Sequence, residues 1–471
     1  MNTFSTHTDH SDLFNLDMIR KYDKAGPRYT SYPTAPMFHE GIGAEDYAET
    51  LRRVADDTAP LSLYVHIPFC NTVCYYCGCN KIATKQYARA VPYLETLCKE
   101  IDLVADTLGY GPGHAGREVT QLHLGGGTPT FLSNEQIRTL VGKLRKRFRF
   151  ADDAHGEYGI EIDPRECDAD TVAVLREVGF NRMSMGVQDF DPHVQKAVNR
   201  IQSREQTLHV LEQARAHGFH SINIDLMYGL PHQSVETFDR TLDTIIEFSP
   251  DRIALFNYAH LPHMFMPQRR IDEGDLPTPL EKLNILEHSI NKLLAAGYVF
   301  IGMDHFAKPD DELTIAQQEG KLYRNFQGYS TMADCDLIGF GITSIGYIGG
   351  GFFQNHKDLG TYTEAVEAGR FPIFRGYILS PEDHLRRQVI MRLMCDFALD
   401  FASFEREFGI VFREHFADAL AQLREFAADG LIELRDDGLR VLPAGRLLIR
   451  NIAMTFDEYL NRKKTSFSKV I

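Results

Sequence analysis

A chain of 471 residues is longer than one hydrophobic core usually serves, so two or three domains are expected. With 44% hydrophobic and 24% charged residues it has the composition of a globular protein, and no apolar run reaches the length of a membrane span. The formal net charge of −15 excludes nucleic acid as the main partner, because phosphate backbones need a basic surface. By the same argument, an acidic ligand must find a locally basic pocket.

Residues 1–50 read as an arm with little periodicity. Met1 to Asp17 is polar and lacks the apolar core of a signal peptide. The pointed segment of the arm is Gly26-Pro27-Arg28-Tyr29-Thr30-Ser31-Tyr32-Pro33-Thr34, which its two prolines bias towards extended backbone. It is either a packed tether or a lid carrying Arg28 and Tyr29 to a pocket.

From residue 61 a rhythm of strands and helices begins. Strands are expected at Leu61–Ile67, Val119–Leu124, Tyr158–Ile162, Met183–Val187, Ile222–Met227, Arg252–Asn257 and Tyr298–Met303. Helices are expected between them, at Lys85–Leu108, Ser133–Phe148, Ala169–Val178, 191–199, 203–217, 234–247 and Pro279–Ala296. Ser133 and Gln136 have the spacing of a capping box. The alternation points to a parallel α/β sheet. There are too few units to close an eightfold barrel, so the expectation is an open or partial one. Cysteines, glycines and polar residues follow the strands' C-terminal ends, the functional edge of such a sheet.

Residues 304–375 break the rhythm with glycine-rich segments, notably Gly339-Phe340-Gly341-Ile342-Thr343-Ser344-Ile345-Gly346. From Pro381 the chain reads as mostly helical, with a hairpin at Leu431–Leu442 turning at Asp436-Asp437-Gly438. Helices plus a hairpin could form a winged helix, but the acidic turn argues against DNA. The expected domains are thus 1–50 (arm), 51–305 (barrel), 306–375 (covering extension) and 376–471 (helical).

The chemistry concentrates directly after the first strand, where four of the eight cysteines lie within ten residues as Cys70, Cys74, Cys77 and Cys79. The spacing C-x3-C-x2-C differs from the paired C-x2-C knuckles of structural zinc sites. Three thiolates on one loop can hold three irons of a [4Fe–4S] cluster and leave the fourth open to a ligand. A zinc-stabilised, non-catalytic interaction protein is the rival reading. Cys98, Cys167, Cys335 and Cys395 are scattered singly and suggest reduced thiols, hence a cytoplasmic protein.

Cys70, Cys74 and Cys77 look like the radical S-adenosylmethionine (SAM) signature. Cys79 with Asn80-Lys81, together with the Pro-Arg-Tyr-Thr-Ser-Tyr-Pro arm, narrows the resemblance to the oxygen-independent coproporphyrinogen III oxidase (dehydrogenase) family. Similar segments run from Pro27–Thr34 through Leu122–Pro129, Glu161–Arg165, Met185–Phe190, Asn223–Pro231, Asn257–His260 and Arg324–Gly346 to Phe467-Ser468-Lys469-Val470-Ile471. The sequence departs from the family at Leu124, where tryptophan often precedes the glycines.

The resemblance implies a partial (β/α)6 radical SAM barrel with an N-terminal arm and a mostly helical C-terminal domain. It implies one [4Fe–4S] cluster on Cys70, Cys74 and Cys77, with Cys79 a non-ligating residue near the chemistry. It also implies two SAM molecules per chain. The first would be met by Tyr64, Tyr76, Gly126, Gly127, Thr128, Glu161 and Ile345, and the second by Gln188, Arg200, Asp225 and Ala259. For the glycines, a tight strand-to-helix turn fits the local sequence equally well; for the second group, a buried polar network bracing the barrel is the alternative. The implied reaction converts two propionates of coproporphyrinogen III to vinyls through a 5′-deoxyadenosyl radical, giving protoporphyrinogen IX. Its implied partners are the substrate and a reductant protein such as a flavodoxin or ferredoxin; a monomer is expected. A haem chaperone of the same superfamily, which binds haem without decarboxylation, is the second rival; such relatives usually lack the fourth cysteine and the long arm.

Overall fold

The computed structural model describes residues 13–22, 24–111, 116–332 and 335–460. The similar segment Phe467–Ile471 and residues 1–12 lie outside them. By backbone contacts the chain divides into two compact units, one of residues 38–289 and 334–378, the other of residues 1–37, 290–333 and 379–471. This grouping differs from the sequence boundaries: the first part of the arm and residues 290–333 belong with the C-terminal segment.

The first unit is built on six successive parallel strands, β1 (Leu61–Ile67), β2 (Glu118–Gly126), β3 (Glu157–Ile162), β4 (Arg182–Gln188), β5 (Ser221–Tyr228) and β6 (Arg252–Asn257), each lying beside the one before it. The other edge of β1 is taken by β7 (Asp336–Phe340), also parallel, with Leu63 opposite Ile338. From β7 the sheet continues antiparallel through β8 (Ile345–Ile348), β9 (Gly351–Asn355) and β10 (Ile373–Ile378). Leu63, Val65, Leu122, Leu124, Ile160, Met183, Met185, Ile222 and Ile224 are fully buried. The alternate set, Tyr64, His123, Glu161, Ser184, Asn223 and Asp225, stays half-exposed although its strands are internal. Period-two alternation therefore separates an apolar face from a polar face open to ligand.

The helices begin where local chemistry allows. α1 (Ala90–Thr107) starts later than expected because Pro92 has no N–H to bond a preceding carbonyl; a 3₁₀ turn, Tyr87–Arg89, comes before it. α2 (Asn134–Arg147) starts at the expected capping box, in which Gln136 N–H donates to Ser133 Oγ at 3.2 Å and Ser133 N–H to Gln136 Oε1 at 2.9 Å.

In the other unit the arm is part of the core. Tyr29 and Tyr32 are buried; Tyr29 O–H donates to Asp457 Oδ2 at 2.9 Å and Tyr32 Oη accepts from Glu458 N at 3.1 Å. Buried Arg450 donates to the carbonyls of Gly26 and Pro27, and Arg28 is ion-paired with Asp304. Tyr29 thus serves packing. Phe401, Phe404, Phe412, Phe416 and Phe456 form a chain of ring contacts, over which Arg386 and Arg392 of helix Pro381–Asp396 reach to Phe416 and Phe404. The expected hairpin is present, Ile432–Leu434 against Gly438–Val441, with Ala398–Asp400 as a third strand.

One buried carboxylate joins α1 to the glycine-rich segment of the first unit. Glu100 accepts from Gly341 N at 2.8 Å, Tyr362 Oη at 2.6 Å and Asn355 Nδ2 at 2.6 Å. Burial without a cation pushes it up to about 7, against the pull of those donors. The folded state therefore binds a proton that the unfolded state has released between about pH 4.5 and 7, so this group's contribution falls as pH rises through that window. Glu100→Gln, which cannot titrate, should gain melting temperature relative to the native protein between about pH 5 and pH 8. A constant difference between the two proteins would contradict the assignment.

Candidate active site

The cysteine loop leaves β1 through Pro68-Phe69 and is tied down along its length. Ile82 N donates to Pro68 O at 2.7 Å, Tyr75 N to Val198 O at 2.9 Å, Asn199 Nδ2 to Val73 O at 2.8 Å, and Gln268 Nε2 to Tyr76 O at 2.9 Å. Each sulfur has its own environment. Thr128 Oγ1 donates to Cys70 Sγ at 3.8 Å, while Arg165 and Arg200 direct N–H groups at Cys74 Sγ from 3.7 and 3.6 Å. A hydrogen bond from Cys79 lowers Cys77 to about 5, against burial and helped by the Lys81 ammonium. Cys77 is therefore the readier thiolate of that pair, and Cys79 is the exposed thiol beside it.

All eight cysteines are free. Among the described residues no three His, Cys, Asp or Glu side chains converge on one metal ion. The donors aimed at Cys70 and Cys74 suit anionic sulfur.

The first predicted group surrounds the end of β2. Gly127 N donates to Ile67 O at 2.8 Å and Thr128 N to Phe69 O at 2.8 Å, so the turn is bonded to the cysteine loop backbone. A Cβ at Gly127 would stand 2.6 Å from Phe69 O, and one at Gly126 2.5 Å from the His66 ring. These glycines are required by the close approach of two chain segments, whatever else they bind. Glu161 Oε2 accepts from Gly126 N at 3.1 Å and Oε1 lies 3.2 Å from His123 Nε2. Burial pushes Glu161 up, but His123 and the Gly126 N–H outweigh it and leave it lowered. The Tyr64 ring stacks on His123, and its hydroxyl meets His66 Nδ1 at 3.0 Å. Ile345 opens β8 beside Gly339, the register partner of Tyr64. Tyr76 packs into an apolar cluster of Val194, Val198, Leu230, Tyr258 and Ile271.

The second group gathers around Gly186. A Cβ there would meet Arg200 NH2 at 3.1 Å and Gln188 Nε2 at 3.2 Å, and Asp225 is its partner across β4 and β5. Burial, and then the charge of Glu161, pushes Asp225 up to about 7 against hydrogen bonds from Asn223 and Ser184. Arg200 is buried and bonds Asp163 Oδ2 at 3.0 Å, the Gly186 carbonyl and Cys74, so its guanidinium is turned to the cysteine loop rather than held as a free fork. Ala259 stands exposed two residues past β6. Gln188 Oε1, Asn223 Oδ1 and Asn257 Oδ1 are buried acceptors without a partner, and Arg200 Nε a donor without one. The two unsatisfied acceptors near the strands' C-terminal ends, Gln188 and Asn257, fit a ligand with O–H and N–H donors, such as the ribose and amino group of SAM, while Asn223 lies further back in the sheet, level with Ser184 and Arg252.

Sequence reasoning missed Asp163, Arg165, His66, His123, Asn223 and Asn257. The signal for two of them was their position on the strands' alternating period: His123 and Asn223 are half-exposed where the residues on either side are buried.

Over 463 residues the chain is 52% identical to the oxygen-independent coproporphyrinogen III oxidase of Pseudomonas aeruginosa, covering 97% of this chain and 99% of that one. The chain belongs to the oxygen-independent coproporphyrinogen III oxidase family. The Escherichia coli member is 49% identical over 460 residues, covering 97% of this chain and 98% of that one. The solved coproporphyrinogen III oxidase (HemN) of Escherichia coli, described as a radical SAM enzyme, matches with a TM-score of 0.89 at 48% identity, over 95% of this chain and 99% of that one. Residues 64–245 match the radical SAM superfamily and residues 379–448 the HemN C-terminal domain. The expected fold, a partial radical SAM barrel with an arm and a helical C-terminal domain, is that of the family, and membership implies a [4Fe–4S] cluster and SAM.

Within this family member the Gly127 seam generates a direct test. Gly127→Ala should force the turn from the cysteine loop at a stability loss of about 1–3 kcal/mol, seen as a lower melting temperature and less iron per chain after anaerobic reconstitution. Unchanged iron and melting temperature would show that the seam does not constrain the loop.

Proposed function

We propose that the chain catalyses the oxygen-independent oxidative decarboxylation of two propionate side chains of coproporphyrinogen III to vinyls, giving protoporphyrinogen IX in haem biosynthesis. The observation that carries this reading is the cysteine loop, with cationic donors on Cys74 and unpartnered buried polar atoms of Gln188, Arg200 and Asn257 at the strand ends, in a chain of this family. When bound, the cluster and SAM would supply a 5′-deoxyadenosyl radical, the hydrogen-abstracting chemistry the reaction needs; conversion of each propionate to a vinyl then releases CO2 and one electron to an external one-electron acceptor.

Cys70, Cys74 and Cys77 hold the cluster, and Thr128, Arg165 and Arg200 neutralise its sulfur charge through N–H and O–H donors. Gly126, Gly127 and Glu161 offer backbone groups and a carboxylate to the first SAM, with Tyr64 and Ile345 as walls. Gln188, Arg200, Asp225 and Ala259 receive the second SAM, supported by the orphaned acceptors around them. Tyr76 contributes its backbone and packing. Cys79, exposed beside Cys77, acts near the reacting centre without ligating iron. A flavodoxin or ferredoxin reduces the cluster, and the chain works as a cytoplasmic monomer. Its eight free cysteines support a reducing compartment, and among the described residues no helix is long and apolar enough to cross a membrane.

Reconstituted protein incubated anaerobically with SAM, a reductant and coproporphyrinogen III should yield protoporphyrinogen IX; haem binding without decarboxylation would instead favour the chaperone reading. Cys70→Ala, Cys74→Ala and Cys77→Ala should lose visible cluster absorption and iron, whereas Cys79→Ala should retain both. Loss as complete in Cys79→Ala as in Cys70→Ala would overturn the ligand assignment.

Equilibrium dialysis should find two SAM molecules per chain, falling to one in Asp225→Ala. One molecule per chain in both proteins would refute the second site.

A further inference from the structure

Arg375 lies on the same face of the sheet as the proposed first SAM group, several strands away. Strand pairing sets them in one row: Tyr64 is opposite Gly339, Ile345 opposite Gln354, and Gln354 opposite Arg375. The antiparallel pairing of Leu337 with Tyr347, carried two residues on, puts Gly339 beside Ile345 and completes the row. Directly opposed residues share a face, so Arg375 of β10 belongs to the ligand-facing side on which Tyr64 stands.

Its guanidinium is held from behind and open in front. Nε donates to Gln354 Oε1 at 2.7 Å, and the buried Gln354 donates in turn to Thr343 O at 3.4 Å. The guanidinium carbon stands 5.7 Å from the centre of the Phe38 ring and 5.8 Å from that of Phe374. Among the described residues its two Nη groups have no hydrogen bond or ion pair. Lys357, two residues past β9, is tied to the cysteine loop by its carbonyl, which accepts from Asn80 Nδ2 at 3.1 Å. Its exposed ammonium has no partner among the described residues.

The two cations act on each other. Partial desolvation, and then the charge of Arg375, holds Lys357 below the usual lysine range; desolvation also lowers Arg375, against the pull of Glu40. Two carboxylates are near: Glu40, and Asp358, which accepts from the N–H and hydroxyl of Thr361. Among the described residues neither is ion-paired with Arg375 or Lys357. The four charges nearly balance, so long-range attraction does not choose the ligand. Contact does: a planar fork fixed by Gln354 and two rings, with an ammonium close by, matches a carboxylate.

Distance says whose carboxylate it is. Four strand steps of about 4.8 Å put Arg375 on the order of 19 Å from Tyr64. That is beyond the amino-acid end of a SAM held at Gly126 and Glu161, and comparable to the span of a tetrapyrrole with its propionates. We propose that Arg375, with Lys357 beside it, receives a propionate carboxylate of the substrate and so orients the macrocycle against the cysteine loop. Both are positioning residues: they hold a carboxylate that is not reacting, and no bond forms or breaks there. The inference rests on the proposed decarboxylation of a tetracarboxylate.

The test assays reconstituted holoenzyme anaerobically with coproporphyrinogen III. Arg375→Gln should raise KM roughly tenfold to hundredfold while kcat changes much less, and Lys357→Gln should raise it by a smaller factor. Arg375→Lys, which keeps the charge but not the fork, should recover part of the loss. Iron per chain and SAM binding by equilibrium dialysis should match the wild type in all three variants. An unchanged KM in Arg375→Gln overturns the receptor. Weakened SAM binding in that variant would assign the carboxylate to SAM, and lost iron would mark a structural role; either result also overturns it. If the wild type gives no product, the proposed reaction fails, and fluorescence titration with coproporphyrin III, the stable oxidised tetracarboxylate, still decides the receptor. Arg375→Gln should bind it more weakly than the wild type and bind its tetramethyl ester equally well. Equal affinity for the free acid, or no binding by the wild type, overturns the receptor.

Discussion

The close approach of two backbones underlies the site. β1 and β2 run in register to the pair Ile67 and Gly126, and the ladder continues beyond the strands through Gly127 N to Ile67 O and Thr128 N to Phe69 O. No side chain fits in that seam, since a Cβ at Gly127 would lie 2.6 Å from a carbonyl oxygen. The turn and the cysteine loop therefore move as one piece, and Thr128 is carried to Cys70 by the same bonds. Loop precision is obtained from sheet geometry, which is stiffer than side-chain packing alone.

Electrostatics then follow from where the next strand ends. Asp163, just past β3, accepts from Arg165 at 2.6 Å and from Arg200 at 3.0 Å. Burial raises Asp163, but Arg200 first and then Arg165 outweigh it and keep it ionised. Two guanidiniums with one carboxylate leave a net positive charge, and both cations also touch Cys74. An ion triad of this kind would be a doubtful source of stability on its own. Beside a loop that must carry three thiolates, its surplus charge has a clear use.

Much of this was legible from the sequence because the signals are local. All six barrel strands, the capping box at Ser133 and the C-terminal hairpin follow from periodicity and caps within short windows. β7 was not legible: Asp336–Phe340 pairs with Leu61–Val65 across more than 270 intervening residues, and no local pattern announces the partner. The packed state of the arm was hidden for the same reason, since Tyr29 meets Asp457 from the far end of the chain. In the site, the cysteine spacing and the family resemblance pointed to residues of which several stand together, Gly126 with Glu161 and Gly186 with Arg200 and Gln188. They could not show that Arg200 faces Asp163 and Cys74, because a residue type does not fix the direction of a long side chain.

Gln188 shows how local backbone and ligand chemistry combine. The β4–β5 register shifts between Gly186 and Gln188, a bulge that re-aims the strand end. Gln188 adopts φ 72°, a left-handed conformation that disfavours a side chain other than glycine's by about 1–3 kcal/mol. Its buried Oε1 has no partner, at a further cost of about 1–3 kcal/mol. Two penalties at one residue are hard to reconcile with a brace whose purpose is stability, since a satisfied polar network would avoid both. They are consistent with an acceptor held in place for a donor that arrives with the ligand. Asn257, at the end of β6, keeps an orphaned acceptor near the same edge, and Asn223 keeps one deeper in the sheet. The polar face of the sheet is thus underbonded at its C-terminal edge, and a ligand bearing hydroxyl and amino donors there removes the hydrogen-bonding penalties at Gln188 and Asn257, while the backbone strain at Gln188 remains as the cost of aiming its acceptor.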